Sequence, residues 1–245
     1  MIKDKIRLDI LLFERGLAES REKAKAMIMA GEVEVNGIRA EKPGHSVDAM
    51  ADVSVKNKTM PYVSRGGLKL EAALEHFNID VRGLTVIDIG ASTGGFTDCL
   101  LKRGAEKVIA VDVGHGQFHW RLRQDTRVTL LEKTNARFLT PEDIKTPLDG
   151  AVIDVSFISL KLIIPALLNL LPKSAFIIAL IKPQFEAGRH QVGKKGVVRD
   201  PSVHREVIET LNRFFKEQNL KITGTLPSPI LGPEGNREFL ACLEV

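Results

Sequence analysis

The sequence has 245 residues, of which 44% are apolar and 27% charged, so the chain is long enough to bury a core and has the composition of an ordinary folded protein. Its 35 basic and 31 acidic side chains give a formal charge of +4, a mildly basic balance that permits a polyanionic partner without indicating one. The longest apolar runs, 162–171 and 175–181, are shorter than the ~18 residues that a membrane-spanning helix needs, and the first residues lack the apolar core of a signal peptide.

The two cysteines, Cys99 and Cys242, are far apart in the chain, and each stands in an apolar stretch. This context predicts two buried thiols rather than a disulfide or a metal pair, and we predict no metal site. Free thiols fit a reducing compartment, so we expect a cytoplasmic protein without a membrane partner. The sequence leaves the oligomeric state open.

Residues 1–58 predict a small α+β module. Two short helices are predicted at 7–15 and 21–30, the second capped by Ser20, and a strand at 32–35 runs into the hairpin signal Asn36-Gly37 before a last strand at 52–56. The order of Arg-Leu-Asp, Ser-Arg and Val-Asn-Gly in this module resembles the αL RNA-binding motif. That resemblance implies that basic side chains of the helix pair contact RNA, namely Arg7, Arg21, Lys23 and Lys25.

Charge alone does not distinguish this RNA-binding module from an accessory domain, because residues 1–58 hold eleven basic and ten acidic side chains. A polar stretch follows, and the next helix is predicted to begin at Lys69 and to end at His76. The predicted domains are therefore an αL-type module at 1–58, a linker at 59–68 and a second domain at 69–245.

From residue 84 onward, strands and helices alternate, which predicts an α/β domain with a doubly wound parallel sheet. Helices are predicted at 96–103 and 203–218, the latter opened by Asp200-Pro201. The strands are predicted at 86–89, 107–111, 128–131, 151–154, 176–181, 222–226 and 238–243.

Polar or glycine residues stand at the ends of these strands. They are Asp88, Gly90, Asp112, Asp154 and Lys182. Because ligands of open α/β sheets bind outside the carboxyl ends of the strands, the five positions predict one binding site at one rim.

The turn after the first of these strands, 90–95, predicts what is bound there. A dinucleotide fingerprint needs glycine where Ser92 stands, and the Gly-Lys-Ser/Thr of a phosphate loop is missing. Asp112 stands where an acid commonly holds ribose hydroxyls, so a nucleoside without a phosphate fits best, and S-adenosylmethionine is the common cofactor of that kind. The predicted cofactor residues are Asp88, Gly90, Ala91, Ser92, Thr93, Gly94, Gly95, Asp112, Asn135 and Asp154.

The same turn also satisfies the Gly-x-Ser-x-Gly pattern of a hydrolase nucleophile elbow. Asp154 and His204 follow Ser92 in the order that such hydrolases use. Two features speak against this interpretation. The turn follows the first strand of the sheet instead of a later one, and His204 lies early in a predicted helix rather than on a loop.

Four longer motifs resemble the TlyA (haemolysin A) family of ribosomal RNA methyltransferases. They are Ser-Arg-Gly-Gly-Leu-Lys-Leu at 64–70, Val-Ile-Asp-Ile-Gly-Ala-Ser-Thr-Gly-Gly-Phe-Thr-Asp at 86–98, Ile-Asp-Val-Ser-Phe-Ile-Ser at 153–159 and Ile-Lys-Pro-Gln-Phe-Glu at 181–186. The resemblance implies a Rossmann-like, FtsJ-like methyltransferase domain behind an αL module. It also implies methyl transfer from S-adenosylmethionine to the ribose 2′-hydroxyl of cytidine, with ribosomal RNA or ribosomal subunits as partners.

The family resemblance further implies a catalytic tetrad, Lys69, Asp154, Lys182 and Glu238. A ribose hydroxyl is a weak acid, so its attack on a methyl group needs a base and close alignment. A lysine can act as that base only when neutral, a form that burial and a second lysine favour. We therefore expect Lys182 to be the base, with Lys69 assisting it and the two carboxylates holding the lysines.

A basic loop at 188–199 supplies further candidates for RNA contact. Its three glycines predict a flexible loop, and it follows Lys182, the expected base. The predicted RNA-binding residues outside the first module are Arg65, Arg189, Lys194, Lys195 and Arg199. Two other functions stay open at this point. One is a membrane-lytic protein, which the family name haemolysin A suggests, and the other is an RNA-binding protein whose catalytic domain is inert.

Overall fold

The computed structural model describes residues 5–18, 20–55 and 60–245, and the chain divides into two compact units, Met1–Pro61 and Tyr62–Val245. The predicted linker, 59–68, spans this division, and its last three residues already belong to a helix. The predicted first boundary, at residue 58, lies outside the described residues.

The described residues of the first unit form two helices and two small sheets. Helices α1 (Leu8–Glu14) and α2 (Arg21–Met29) form as predicted, and the Ser20 hydroxyl caps α2 by accepting a hydrogen bond from the Lys23 N–H at 3.2 Å. Their apolar faces share one core, in which Leu8, Leu12 and Ile28 are fully buried. The strands are β1 (Lys5–Arg7), β2 (Val33–Val35), β3 (Ile38–Arg39), β4 (Ser46–Asp48) and β5 (Val53–Val55).

The strands of the first unit pair as β1 with β4 and in the order β3-β2-β5. The hairpin at Asn36-Gly37 joins β2 to β3, and both turn residues have the positive φ that this turn requires. The β1–β4 pair was missed by the sequence analysis. Each of its strands has three residues, which is too short for an alternating pattern to be visible.

The second unit is a seven-stranded sheet with helices on both faces, which confirms the predicted α/β fold. The strand order is β11-β12-β10-β9-β6-β7-β8. The strands are β6 (Thr85–Ile89), β7 (Lys107–Val111), β8 (Val128–Leu131), β9 (Gly150–Ile153), β10 (Phe176–Ile181), β11 (Lys221–Pro227) and β12 (Phe239–Glu244). The helices are α3 (Gly66–His76), α4 (Gly95–Lys102), α5 (Trp120–Arg123), α6 (Leu160–Leu168), α7 (Pro183–Glu186) and α8 (Pro201–Glu217).

Alternate residues of the central strands enter two different cores. Ile87 and Ile89 pack with α6 and α8 on one face of the sheet, whereas Val86 packs with α3 and α4 on the other. This arrangement explains why the strands are continuous apolar runs, since both faces are covered. Cys99 and Cys242 are buried and unpaired, as predicted.

The sheet is not parallel throughout, and in this respect the sequence-based prediction was wrong. Strands β6 to β10 are parallel, but β12 lies between β10 and β11 and runs antiparallel to both. Its register pairs Phe239 with Ile181. The residue before β12, Glu238, is therefore brought beside the residue after β10, Lys182.

Four helices differ from the prediction, namely α3, α5, α6 and α7. Helix α3 begins at Gly66 rather than Lys69. The other three were not predicted: α5 and α7 have only four residues each, and residues 162–168 of α6 are all apolar and show no helical periodicity. In the described part of the chain no helix is long and apolar enough to span a membrane.

Candidate active site

The turn after β6 is shaped by glycines. Gly90 has φ +82°, and a Cβ atom built there would lie 2.5 Å from the backbone oxygen of Asp154 on the neighbouring strand end. Gly94 has φ +94°, and its Cβ would lie 2.4 Å from a side-chain carbon of Leu122. Only glycine fits at these two positions, so the turn packs closely against the rim of the sheet.

Asp112, at the end of β7, fixes the outer side of this turn. Its two carboxylate oxygens accept hydrogen bonds from the backbone N–H groups of Ser92 at 2.7 Å and Gly114 at 2.6 Å. The carboxylate thereby joins the first turn to the loop after the second strand. It lies at the rim position where the sequence predicted a contact with ribose hydroxyls.

Two adjoining cavities open at this rim. One, of about 260 Å³, contains the four predicted catalytic side chains together with Ala91, Thr93 and Gly95 of the turn. The other, of about 450 Å³, is lined by Asp112, Asn135 and apolar side chains of 89–163. Both cavities share four residues, namely Gly90, Ser92, Asp154 and Ser156. A single elongated ligand can therefore occupy the two.

The catalytic candidates form two ion pairs. Lys182 Nζ lies 2.6 Å from Asp154 Oδ1 and donates a hydrogen bond to Ser156 Oγ at 2.8 Å. Lys69 Nζ donates to Glu238 Oε2 at 2.6 Å, and both side chains are almost fully buried. The structure thus brings all four predicted residues to one cavity, each lysine with its own carboxylate.

Lys69 and Glu238 owe their burial to tertiary packing. Lys69 lies off the apolar stripe of α3, yet it is only 7% exposed because α3 packs against α4 and approaches β12. The second oxygen of Glu238 is buried with no hydrogen-bond partner among the described residues. It lies 2.1 Å from where a Cβ of Gly232 would stand, so only glycine leaves room for this carboxylate.

Asp88 lies beneath the turn and lines neither cavity. It is fully buried, and its Oδ2 accepts a hydrogen bond from Thr97 Oγ1 at 2.6 Å. Burial raises the pKa of this carboxyl to about 7. Its Oδ1 has no hydrogen-bond partner in the described part of the chain. Asp88 was predicted to bind the cofactor, but in the structure it supports the turn from beneath.

The raised pKa of Asp88 predicts a pH-dependent stability. Between the two pKa values the folded protein keeps this proton, whereas the unfolded chain has lost it. The contribution of Asp88 to the free energy of unfolding is therefore fully present below pH 4 and is lost as the pH rises through about 7. Relative to wild type, Asp88→Asn should therefore gain unfolding free energy between pH 5 and pH 8, by about 3 kcal/mol, at about 1.4 kcal/mol for each of the about two pH units between pH 5 and the raised pKa of about 7. Urea unfolding of both proteins measures this, and a difference that stays constant with pH would contradict it.

The predicted RNA-binding residues of the second unit are all exposed. Arg65 precedes α3 and lines the catalytic cavity. The other four, Arg189, Lys194, Lys195 and Arg199, lie on the loop at 188–199. This loop is anchored more firmly than its glycines predicted, because Val197 and Val198 are buried in it.

In the first unit, two predicted RNA-binding arginines share one buried carboxylate. Asp9 is fully buried, accepts two hydrogen bonds from Arg7 at 3.0 Å, and lies 3.5 Å from the Arg21 guanidinium. The hydrogen bonds from Arg7 hold the pKa of Asp9 below its usual range despite its burial. Lys23 is exposed, and Lys25 pairs with Glu22 at 2.7 Å.

The sequence analysis missed two residues of the site. Ser156 bonds Lys182, and Phe157 is 90% exposed beside the larger cavity with φ +64°, a conformation that a bulky side chain rarely adopts. The Phe157 ring lies 4.9 Å from that of Phe185. Both missed residues belong to the Ile-Asp-Val-Ser-Phe-Ile-Ser motif, which was the available signal.

The hydrolase interpretation lacks its histidine. His204 is buried, and its Nε2 lies 2.9 Å from the backbone oxygen of Val198. It lines a separate cavity with Arg199 and Arg237, whereas Ser92 lines the two cavities described above. The histidine that this interpretation requires therefore lines a different cavity from Ser92.

Known proteins match the chain over nearly its whole length. Residues 62–245 match the FtsJ-like methyltransferase family, and residues 6–53 match the S4 domain. The 16S/23S rRNA (cytidine-2′-O)-methyltransferase TlyA of Mycobacterium tuberculosis is 47% identical over 238 residues, which are 97% of this chain and 89% of the relative. Hemolysin A of Brachyspira hyodysenteriae is 42% identical over 242 residues, 96% of this chain and 98% of the relative.

A solved structure from Streptococcus thermophilus, described only provisionally as a hemolysin, has 49% sequence identity and a TM-score of 0.77. The match covers 99% of this chain and 89% of that structure. Both the order of the two domains and the fold of each are therefore shared with proteins of similar length.

Proposed function

Because the chain belongs to the FtsJ-like methyltransferase family, we propose that it transfers the methyl group of S-adenosylmethionine to the ribose 2′-hydroxyl of cytidine in ribosomal RNA. The observation that carries this proposal is the pairing of Lys182 with Asp154 and of Lys69 with Glu238 in one cavity, next to the glycine turn. Ribosomal RNA as substrate places the proposed reaction in the cytoplasm.

The residues at the rim fit S-adenosylmethionine. Gly90 lets the turn pack against the backbone of Asp154, where a Cβ atom would lie 2.5 Å from the carbonyl oxygen, and both residues line the two cavities in which a ligand can lie. The larger cavity offers apolar walls for a purine and Asp112 for ribose hydroxyls. Its junction with the smaller cavity, at Gly90 and Ser92, then receives the amino-acid part. When bound, this cofactor supplies an electrophilic methyl group on a sulfonium.

Lys182 is the proposed base. Its Nζ donates a hydrogen bond to Ser156 and forms an ion pair with Asp154 at 2.6 Å. In the neutral amine the nitrogen has a lone pair that can accept a proton. As the ribose oxygen takes up the methyl group, its proton passes to this lone pair, and Asp154 stabilises the ammonium that forms.

Lys69 and Glu238 act as positioning residues in this proposal. The ion pair at 2.6 Å fixes the Lys69 ammonium in the wall of the cavity, where it can donate hydrogen bonds to the ribose. Their burial also excludes water from the reacting hydroxyl, which strengthens every electrostatic interaction there.

Recognition of the RNA uses exposed aromatic and basic groups. Phe157 offers an exposed ring, braced by Phe185, on which a nucleobase can stack. Arg65 lines the catalytic cavity and suits the phosphate next to the reacting ribose. In the S4 domain, the buried Asp9 holds Arg7 and Arg21 in one place, so that both can bind RNA phosphates without first being ordered.

Transfer of a labelled methyl group tests the proposed function. Purified protein and labelled S-adenosylmethionine should label ribosomal RNA in subunits from a strain that lacks the protein. RNA binding without labelling would instead favour an inert catalytic domain. Leakage of liposomes caused by pure protein that does not label RNA would favour the membrane-lytic alternative.

A further inference from the structure

A third cavity, of about 300 Å³, lies against the turn at 232–235. Arg199, Arg237 and His204 line it together with Glu234. The turn connects it with the catalytic cavity, because Pro233 lines that cavity while the next residue, Glu234, lines this one. Arg237 also directly precedes the proposed catalytic Glu238. The cavity is thus a neighbour of the reacting centre and not a part of it.

A buried asparagine fixes the two arginines relative to each other. Asn236 is 3% exposed, and its side-chain oxygen accepts a hydrogen bond from the Val198 N–H at 3.1 Å. Its side-chain nitrogen donates to the Gly196 carbonyl at 3.0 Å. Since Arg199 follows Val198 and Arg237 follows Asn236, this one amide ties together the backbones from which both guanidinium groups project.

A third element supports the same backbone. His204 Nε2, on α8, donates a hydrogen bond to the Val198 carbonyl at 2.9 Å, and its ring packs against Phe239 at the start of β12. The positions from which the two arginines extend are therefore held by buried polar groups. This rigidity lowers the entropy that is lost when a ligand is bound there.

Neither arginine is neutralised within the described part of the chain. Both are exposed, and no carboxylate there lies within ion-pair distance of either. Other exposed arginines of the same unit are paired, such as Arg82 with Asp80 and Arg127 with Asp125. The single acid of the cavity, Glu234, leaves a surplus of one positive charge, to which the loop at 188–199 adds Lys194 and Lys195.

We propose that Arg199 and Arg237 form a subsite for a backbone phosphate of the RNA strand, on a nucleotide that flanks the methylated ribose. This rests on the proposed function. Guanidinium groups bind phosphate oxygens through paired N–H donors, and the subsite's place beside the catalytic cavity sets the register of the strand. Arg199 was predicted from the sequence as an RNA-binding residue of the basic loop, whereas Arg237 was not predicted.

The salt dependence of methyl transfer tests the subsite. For Arg199→Gln/Arg237→Gln, the KM for ribosomal subunits should rise about tenfold at moderate salt, with kcat and the Kd for S-adenosylmethionine unchanged. The slope of log KM against log salt should decrease by about one, because one phosphate contact is lost. Arg199→Lys/Arg237→Lys should keep the wild-type slope, since the charge remains.

Arg213→Gln/Lys216→Gln is the matched control, because it removes two exposed charges from α8 without touching the cavity. It should behave as wild type. The proposed subsite is wrong, and the proposed function stands, if wild type methylates its substrate while Arg199→Gln/Arg237→Gln has the same KM and the same slope of log KM against log salt as this control. If wild type transfers no methyl group, the proposed function fails and the subsite with it.

Discussion

Lys182→Ala is expected to lower the rate of methyl transfer by about 10²- to 10⁴-fold, the range that a general base contributes. The ribose hydroxyl then has no group to accept its proton, and Asp154 loses the cation that lies 2.6 Å away. Binding of S-adenosylmethionine should change less than about threefold, because the glycine turn and Asp112 are unaffected. Single-turnover transfer and calorimetric cofactor binding measure the two effects separately.

Two further variants sharpen the interpretation of Lys182→Ala. Lys182→Arg keeps a cation near Asp154, but a guanidinium cannot be deprotonated, so this variant should remain inactive. Lys173→Ala removes an exposed lysine that lies shortly before β10 and lines none of the cavities described above, so it should retain the wild-type rate. Substantial transfer by Lys182→Ala, or recovery in Lys182→Arg, would show that Lys182 is not the base.

Gly90→Ala is expected to lower both stability and cofactor affinity. The left-handed conformation at φ +82° costs alanine about 1–2 kcal/mol, and the Cβ, 2.5 Å from the Asp154 carbonyl oxygen, adds about 1–3 kcal/mol because backbone has to move. The movement displaces the turn from the cofactor and the Asp154 carboxylate from Lys182. We expect at least a tenfold weaker binding of S-adenosylmethionine, measured by calorimetry, and a lower midpoint of urea unfolding.

Gly116→Ala separates the two costs of the Gly90 substitution. Gly116 has φ +74°, yet no atom lies within 4 Å of the position of its Cβ. Gly116→Ala should lose only the conformational part of the unfolding free energy, about 1–2 kcal/mol, and should bind the cofactor as wild type does. Equal losses in the two variants would contradict the close approach of the turn to Asp154.

The strands and the first turn were predictable because their signals are local. Buried strands are apolar runs, and Asp154 and Lys182 break those runs at the rim. Lys69 and Glu238 gave no such signal, and only the family resemblance indicated them. Lys69 is buried by the packing of α3, and Glu238 reaches the site because β12 is antiparallel, a register that no short-range pattern encodes.

The same distinction applies to the elements that were missed. The turn chemistry of Asn36-Gly37 predicted the hairpin, whereas β1 and β4 are strands only because they pair with each other. Phe157 has a positive φ, and its ring lies 4.9 Å from that of Phe185, a residue 28 positions later, so neither feature could be deduced from its sequence neighbours. The anchoring of the basic loop likewise depends on Asn236, which lies about 40 residues later.

Alkaline hydrolysis of ribosomal RNA tests the central claim most directly. Alkali cleaves RNA through attack of the 2′-oxygen on the adjacent phosphate, so a 2′-O-methyl group protects the bond that follows it. The account predicts that RNA treated with this protein and S-adenosylmethionine contains a protected bond after a cytidine, which is absent when Lys182→Ala replaces the wild-type protein. Methylated RNA in which every bond remains sensitive to alkali would place the methyl group on a base and would contradict the proposed reaction.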